Sequence, residues 1–279
     1  MISFLCLVIY ERGNVSPEIK SLLTSFIPPV LLSSLRIITG RSSKWTGDFI
    51  SWKDALAASS GYDAETIFNK VYSAARAVRD GEALWERDSI CFYHEEYNWQ
   101  LLSCLMTVAA KSGGKLHVLD FGGALGSTYM QHRKMLAMLP ECTWSVVEQS
   151  HVVHAGKADF ASDKLNFFNS IEECFSNRHI NLVLFSSVLQ YLEHPYDLLE
   201  SVNSFSPLAI VIDRTPIAKR SEKITIQHVP KAIYAASYPC RFLDKKRLES
   251  ILNEDRVLSP WFPSPVDPPN FFGVMSMSR

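Results

Sequence analysis

The sequence predicts an α/β fold, a largely parallel sheet with helices on both faces. Three observations carry that reading. From Leu116 onward, strand-length apolar runs alternate with segments of helical periodicity. The first two runs end in carboxylates, Asp120 and Glu148, about one strand–helix–strand unit apart. Between them lies Gly122-Gly123-Ala124-Leu125-Gly126, a tight turn at a helix start, where open α/β sheets bind their ligands.

The elements follow in order. Met1 to Tyr10 is almost wholly apolar, and Ser25 to Leu32 is apolar but broken by Pro28 and Pro29. Ten residues fall short of the ~20 that span a bilayer core. No basic segment precedes the first stretch and no small-residue cleavage site follows, so it does not match a secretory signal. Two readings stay open for both stretches, packing on the domain or weak association with a membrane surface. Residues 51–79 read as helical, with Trp52, Leu56, Ile67, Val71, Tyr72 and Ala75 at helical spacing and a break at Gly61-Tyr62-Asp63. A further helix is expected from Asn98 to Ala110. Lys111-Ser112-Gly113-Gly114 then divides a helical N-terminal cap, 1–110, from the sheet domain, 111–279.

In that second part, strands are expected near 116–120, 144–148, 166–168, 181–185 and 208–213. Arg256-Val257-Leu258 and Phe271 to Met277 are two more candidates. An insertion, 214–241, separates the fifth strand from a helix near Asp244–Asn253. The carboxyl end of that strand faces the ligand crevice, so the insertion is expected to cover the site. Its Arg214, Gln227, His228, Tyr234 and Tyr238 could hydrogen-bond hydroxyl groups.

Composition narrows the function classes. The 279 residues carry a net charge of −1 with scattered Lys and Arg, so nucleic acid is not an expected partner. A 47% hydrophobic content can build a full core. Six cysteines without C-x-x-C spacing read as reduced thiols of a cytoplasmic protein. His151 and His154 lack a second ligand pair, so no metal site is expected.

Asp120 selects the ligand. A carboxylate at the strand tip would repel a pyrophosphate but suits a ligand bearing ammonium and sulfonium charges. The dinucleotide pattern G-x-G-x-x-G fails, because its first glycine would fall on Phe121. A phosphate loop fails for want of Gly-Lys-Ser/Thr. Asp120-x-Gly122-Gly123-x-x-Gly126 instead resembles the first motif of class I S-adenosylmethionine (SAM) methyltransferases, with Ala124 in place of the middle glycine. Ile180 to Phe185 leading into Ser186-Ser187-Val188-Leu189-Gln190-Tyr191-Leu192-Glu193-His194-Pro195 resembles the fourth-strand motif of the same superfamily.

That resemblance implies a Rossmann-like seven-stranded sheet, with the last two strand candidates as its closing hairpin. SAM is the implied cofactor. Asp120, Gly122, Gly123, Gly126, Ser186 and Ser187 are its expected contacts, together with Gln149 and Glu148. The two oxygens of Glu148 could accept both ribose hydroxyls. Trp45-Thr46-Gly47-Asp48-Phe49, Ser51-Trp52, Gly61-Tyr62-Asp63, Glu86-Arg87-Asp88-Ser89, Gln190-Tyr191-Leu192 and Ser237-Tyr238-Pro239-Cys240 occur in this order. Together they are similar to a bacterial family of methyltransferases associated with surface-polysaccharide gene clusters.

The expected reaction is methyl transfer from SAM to oxygen on a small-molecule or glycan acceptor, in the cytoplasm or at the inner face of the membrane. An alcohol acceptor needs a base near its oxygen. His228, His94 and Tyr191 are the leading candidates, with Asp213 and Glu95 behind them. Two other classes remain: an NAD(P)-dependent sugar-modifying enzyme, which would need glycines absent here, and an inactive SAM-binding structural partner, which turnover would distinguish. Acceptor identity and oligomeric state are left open.

Overall fold

A computed structural model describes residues 44–60, 64–229, 236–265, 267–268 and 270–278. The two N-terminal apolar stretches, the Gly61-Tyr62-Asp63 break and Tyr234 lie outside them.

The central sheet is built from β4 (Lys115–Phe121), β5 (Glu141–Val147), β6 (Leu165–Phe168), β7 (Leu182–Ser186), β8 (Ala209–Pro216), β11 (Arg256–Leu258) and β13 (Phe271–Ser278), in the order β11-β13-β8-β7-β4-β5-β6. The short β12 (Phe262–Pro263) pairs with β13. The pairs β4–β5, β5–β6, β4–β7 and β7–β8 are parallel, whereas β13 runs antiparallel to β8 and to β11. This is the Rossmann-like seven-stranded sheet with its closing hairpin. The chain builds outward from β4 to β6, then returns to place β7 on the other side of β4. Strand order therefore reverses between β4 and β7, and that switch point opens a crevice at the carboxyl ends of the strands.

Side-chain alternation explains why both faces are covered. Val118, Val146, Leu184 and Val211 join one apolar cluster, while their neighbours Leu119, Val147, Phe185 and Ile212 join the other. Strands apolar on both sides need helices on both sides. On the first face α3 (Trp99–Lys111) buries Leu101, Leu105 and Val108. On the second, α7 (Pro195–Ser204) and α8 (Lys245–Leu252) bury Leu199, Val202, Leu248 and Leu252. Between strands, α4 (Ser127–Leu136) follows β4, α5 (Ser150–Asp159) follows β5, and α6 (Ile171–Asn177) follows β6.

Helix starts obey local chemistry. Asn98 accepts the Leu101 N–H at 3.1 Å to cap α3, Asp244 accepts the Arg247 N–H at 2.9 Å to cap α8, and Pro195 opens α7.

The described part of the N-terminal cap is not purely helical. It holds α1 (Trp52–Ala58) and α2 (Ala64–Arg79), but also β1 (Lys44–Phe49) and a hairpin of β2 (Trp85–Arg87) with β3 (Ile90–Phe92). β1 pairs antiparallel with β9 (Lys223–His228), which pairs with β10 (Ser237–Phe242), so the cap and the insertion share one three-stranded sheet. β1 escapes a periodicity reading because its register slips between Thr46 and Phe49, around Gly47. The β2–β3 turn is Asp88-Ser89, with φ of 52° and 66°. Two successive positive φ values match the twist of a tight hairpin, but no glycine announces the turn.

The five described cysteines are free thiols, four of them buried. No helix among the described residues is long and apolar enough to cross a membrane.

Candidate functional site

A cavity of about 520 Å³ occupies the switch-point crevice, bounded by the tips of β4, β7 and β8, the β2–β3 hairpin and the three-stranded sheet. Its floor is the glycine loop. Asp120, 1% exposed, accepts the Trp144 indole N–H at 2.9 Å. Burial pushes its carboxyl up to about 7, against the pull of that hydrogen bond.

The loop residues have distinct tasks. A Cβ on Gly123 would stand 2.5 Å from Asp120 Oδ2, so the missing side chain makes room for the carboxylate. Gly126 turns at φ 88°, and a Cβ there would meet Leu165 at 2.9 Å; it lets α4 sit against β6. Ala124 adopts φ 50°, the left-handed backbone that a glycine would take without strain. After this turn α4 begins without a side-chain cap, and its Ser127 and Thr128 line the cavity. Unsatisfied N–H groups at a helix start favour negative charge.

Glu86 closes the same end. It is 2% exposed, accepts a hydrogen bond from the Ser127 hydroxyl, and accepts the Ser89 N–H at 3.3 Å. Burial pushes it up to about 7. A buried carboxyl raised above its ordinary value adds stability below that ordinary value and loses it as pH rises through about 7. Glu86→Gln, which keeps a partner for Ser127, should therefore gain Tm on the native protein between pH 6 and pH 8. Thermal melts at the two pH values check this, and an unchanged difference would remove Glu86 from the account.

The opposite wall is built on β7 and β8. Asp213, 1% exposed, accepts the Asn98 amide and the Ser186 hydroxyl on Oδ2, each at 3.1 Å, whereas its buried Oδ1 has no hydrogen-bond partner. Burial raises its carboxyl above the ordinary value, and the neighbouring Arg214 opposes the rise. Arg214, at φ 52°, pairs with Asp267 through Nε at 2.9 Å and Nη2 at 3.3 Å, with Asp88 3.7 Å away. His132 is spoken for: Nε2 accepts the Asn98 N–H at 3.2 Å and Nδ1 lies 2.8 Å from the Thr128 carbonyl, which requires the neutral Nδ1–H form. Burial lowers its pKa, in keeping with that form.

Of the residues singled out from sequence, Asp120, Gly122, Gly123, Ser186, Ser187, Tyr191, Asp213, Arg214, Gln227 and Tyr238 line this cavity. Gly126, Glu148, Gln149, His94 and His228 do not. Glu148 lies just past β5 beside the loop, accepting the Gln149 N–H at 2.8 Å and the Ala124 N–H. Gln149 is the exposed residue before α5 and gives no side-chain cap.

Neither histidine lines this cavity. His228 is exposed and bonds Thr46 at 2.8 Å, because strand alternation turns it away while Gln227 and Val229 face the cavity. His94 is half-exposed on the rim, 3.5 Å from Glu96. Tyr191 faces the cavity, but its hydroxyl donates to Gln227 at 3.0 Å and burial raises its pKa, so it stays protonated. Glu86, Asn98 and Ser127 were missed as site residues. The short strand carrying Glu86 has no periodic signature, and tertiary packing alone brings it to the loop.

No family model matches the chain, and no curated protein is similar to it. Solved structures are. The 1,6-didemethyltoxoflavin-N1-methyltransferase of Burkholderia thailandensis, with 1,6-didemethyltoxoflavin and S-adenosylhomocysteine bound, aligns at 12% identity and a TM-score of 0.43 over 79% of this chain and 94% of its own. The N-terminal domain of EvdMO1, in the presence of SAH and D-fucose, gives 12% and 0.45 over 78% and 98%. DesVI of Streptomyces venezuelae gives 9% and 0.45 over 78% and 99%. At these scores the likeness carries no argument about ligand or activity.

Proposed function

We propose that this chain is a SAM-dependent methyltransferase acting on oxygen of a sugar or polysaccharide-related acceptor. The observation that carries it is the cavity itself: a buried carboxylate under a glycine loop at the switch point, facing a second buried carboxylate with an unpaired oxygen.

The residues present fit SAM. Gly123 leaves the space beside Asp120 that a side chain would fill. Asp120 and Glu86 supply negative charge for the ammonium and sulfonium, and the uncapped start of α4 suits the carboxylate of the amino-acid part. Glu148 stands at the neighbouring strand tip for the ribose, with lone pairs beyond those that accept the Gln149 and Ala124 N–H groups. Ser187 lines the cavity, Gln149 follows Glu148 outside it, and Gly126 acts by shaping the loop.

SAM supplies a methyl group on a sulfonium leaving group. The protein must then align the acceptor, exclude water and take one proton. Asp213 is the group best placed for the proton. It is buried, its pKa is raised toward the working range of a base, and Oδ1 is unpaired while Asn98 and Ser186 fix Oδ2. Tyr191, Gln227 and Tyr238 provide hydrogen-bonding and aromatic surface for the acceptor.

Calorimetry with SAM and S-adenosylhomocysteine tests the reading directly, and binding of neither would end it. Glu148→Ala should weaken SAM at least tenfold, about 1.4 kcal/mol. Unchanged affinity would remove Glu148 from the site.

A further inference from the structure

We propose that the acceptor carries an oxyanion group, a carboxylate or a phosphate, and that Arg87 at the end of β2 binds it. The inference rests on the methyltransferase reading and names the substrate class of that same site.

The first ground is a cation left over in the cavity wall. Arg87 and Arg214 both line the cavity. Arg214 is committed: Asp267 holds it through Nε at 2.9 Å and Nη2 at 3.3 Å, and Asp88 lies 3.7 Å away. Arg87 is not. Its guanidinium makes no hydrogen bond or ion pair with any described residue. The carboxylates that act on it from a distance have other partners, Asp88 and Asp267 on Arg214, and Glu96 at 3.5 Å from His94. Burial lowers the Arg87 pKa and Arg214 adds to the fall, which the pull of Asp88, Asp267 and Glu96 does not make good. A half-buried guanidinium in that state lacks a close anion.

The second ground is how the hairpin holds this side chain. Trp85 and Phe92, opposite one another on β2 and β3, stack at 3.9 Å with their planes 5° apart. The Trp85 indole N–H donates to the His94 carbonyl at 3.0 Å and so fixes the pair. Arg87, on the same strand face as Trp85, lies over both rings, 5.3 Å and 5.5 Å from their centres. Rings steady a cation but supply no acceptor oxygen, so its N–H donors are left for a ligand. Their planar fork matches the paired oxygens of a carboxylate or phosphate.

Placement assigns the anion to the acceptor. The same wall carries Asp213, Gln227 and Tyr238, the groups given to the acceptor above. Arg87 and Asp213 are both within reach of the charge on Arg214, in β8, whereas the carboxylate of SAM is placed at the start of α4.

Ligand-observed NMR on the full chain saturated with S-adenosylhomocysteine tests this with glucose, glucuronate and glucose 6-phosphate at constant ionic strength. Glucuronate or glucose 6-phosphate should bind about fivefold or more tighter than glucose, and the tighter of the two identifies the anion. Arg87→Gln should bring that probe down to the level of glucose and leave S-adenosylhomocysteine affinity unchanged. Neither anion exceeding glucose, including no binding by any probe, overturns the proposal, as does a preference that survives in Arg87→Gln. Loss of S-adenosylhomocysteine affinity in Arg87→Gln also overturns it, because the anion held would then be the cofactor's own carboxylate. Failure of S-adenosylhomocysteine to bind the native chain is the separate result that removes the underlying reading.

Discussion

Gly123→Val is expected to abolish SAM binding, with a loss of at least a hundredfold, about 2.8 kcal/mol. Even the first added carbon would lie 2.5 Å from Asp120 Oδ2 and 2.6 Å from its Cγ, well inside van der Waals contact. Asp120 cannot yield easily. It is enclosed, and its Oδ2 accepts the Trp144 indole N–H, which would be left unsatisfied if the carboxylate swung away. The loop must move instead, into the space proposed for the ligand. Calorimetry reads the affinity, and a thermal melt separates lost binding from lost fold. Gly126→Val serves as the contrast. Its Cβ would press on Leu165 from a backbone at φ 88°, so its main effect should be on stability, with a lowered Tm. Retained SAM affinity in Gly123→Val would mean that this loop does not cradle the ligand.

Asp213→Asn should lower kcat for methyl transfer by about a hundredfold or more, while SAM affinity changes less than threefold. The amide is nearly the same shape, and its oxygen in the Oδ2 position can still accept from both Asn98 and Ser186, but it cannot take a proton. Burial raises the Asp213 carboxyl, so the native rate should climb with pH through a value above the ordinary carboxylate range and then level. The variant should lose that rise. Release of S-adenosylhomocysteine, followed across pH once an acceptor is in hand, provides both measurements. Full turnover in Asp213→Asn would show that the acceptor gives up its proton elsewhere. His228→Ala, by contrast, should leave SAM affinity and turnover within a factor of two, since that ring bonds Thr46 outside the cavity.

The physical basis of these predictions was unevenly legible in the sequence. The strand–helix alternation was legible because strands buried on both faces are apolar at most positions, and such runs stand out. Each of the five parallel strands lies within a few residues of its expected place. The glycine loop was legible for a related reason: positive φ at Gly122 and Gly126 leaves a mark in residue type. Where a left-handed residue is not glycine, the mark fades, and so the Asp88-Ser89 turn and its hairpin went unread.

The site divides along the same line. Asp120, Ser186 and Tyr191 sit at or just past the strands that aim them; local pattern marked Asp120, and the resemblance to the fourth-strand motif marked Ser186 and Tyr191. The two histidines were chosen by chemistry alone, and chemistry does not say which way a side chain points. One step along β9 turns His228 outward and Gln227 inward, a difference settled only when the strand pairs with β1 and β10. Glu86 meeting Ser127 and Asn98 meeting Asp213 join residues far apart in the chain. The sequence by itself determined the sheet, its polarity and the loop, because those follow from local backbone preference and apolar period. Only the tertiary structure decided which carboxylates face one another across the cavity, because desolvation and unpaired lone pairs arise from the packing of distant segments.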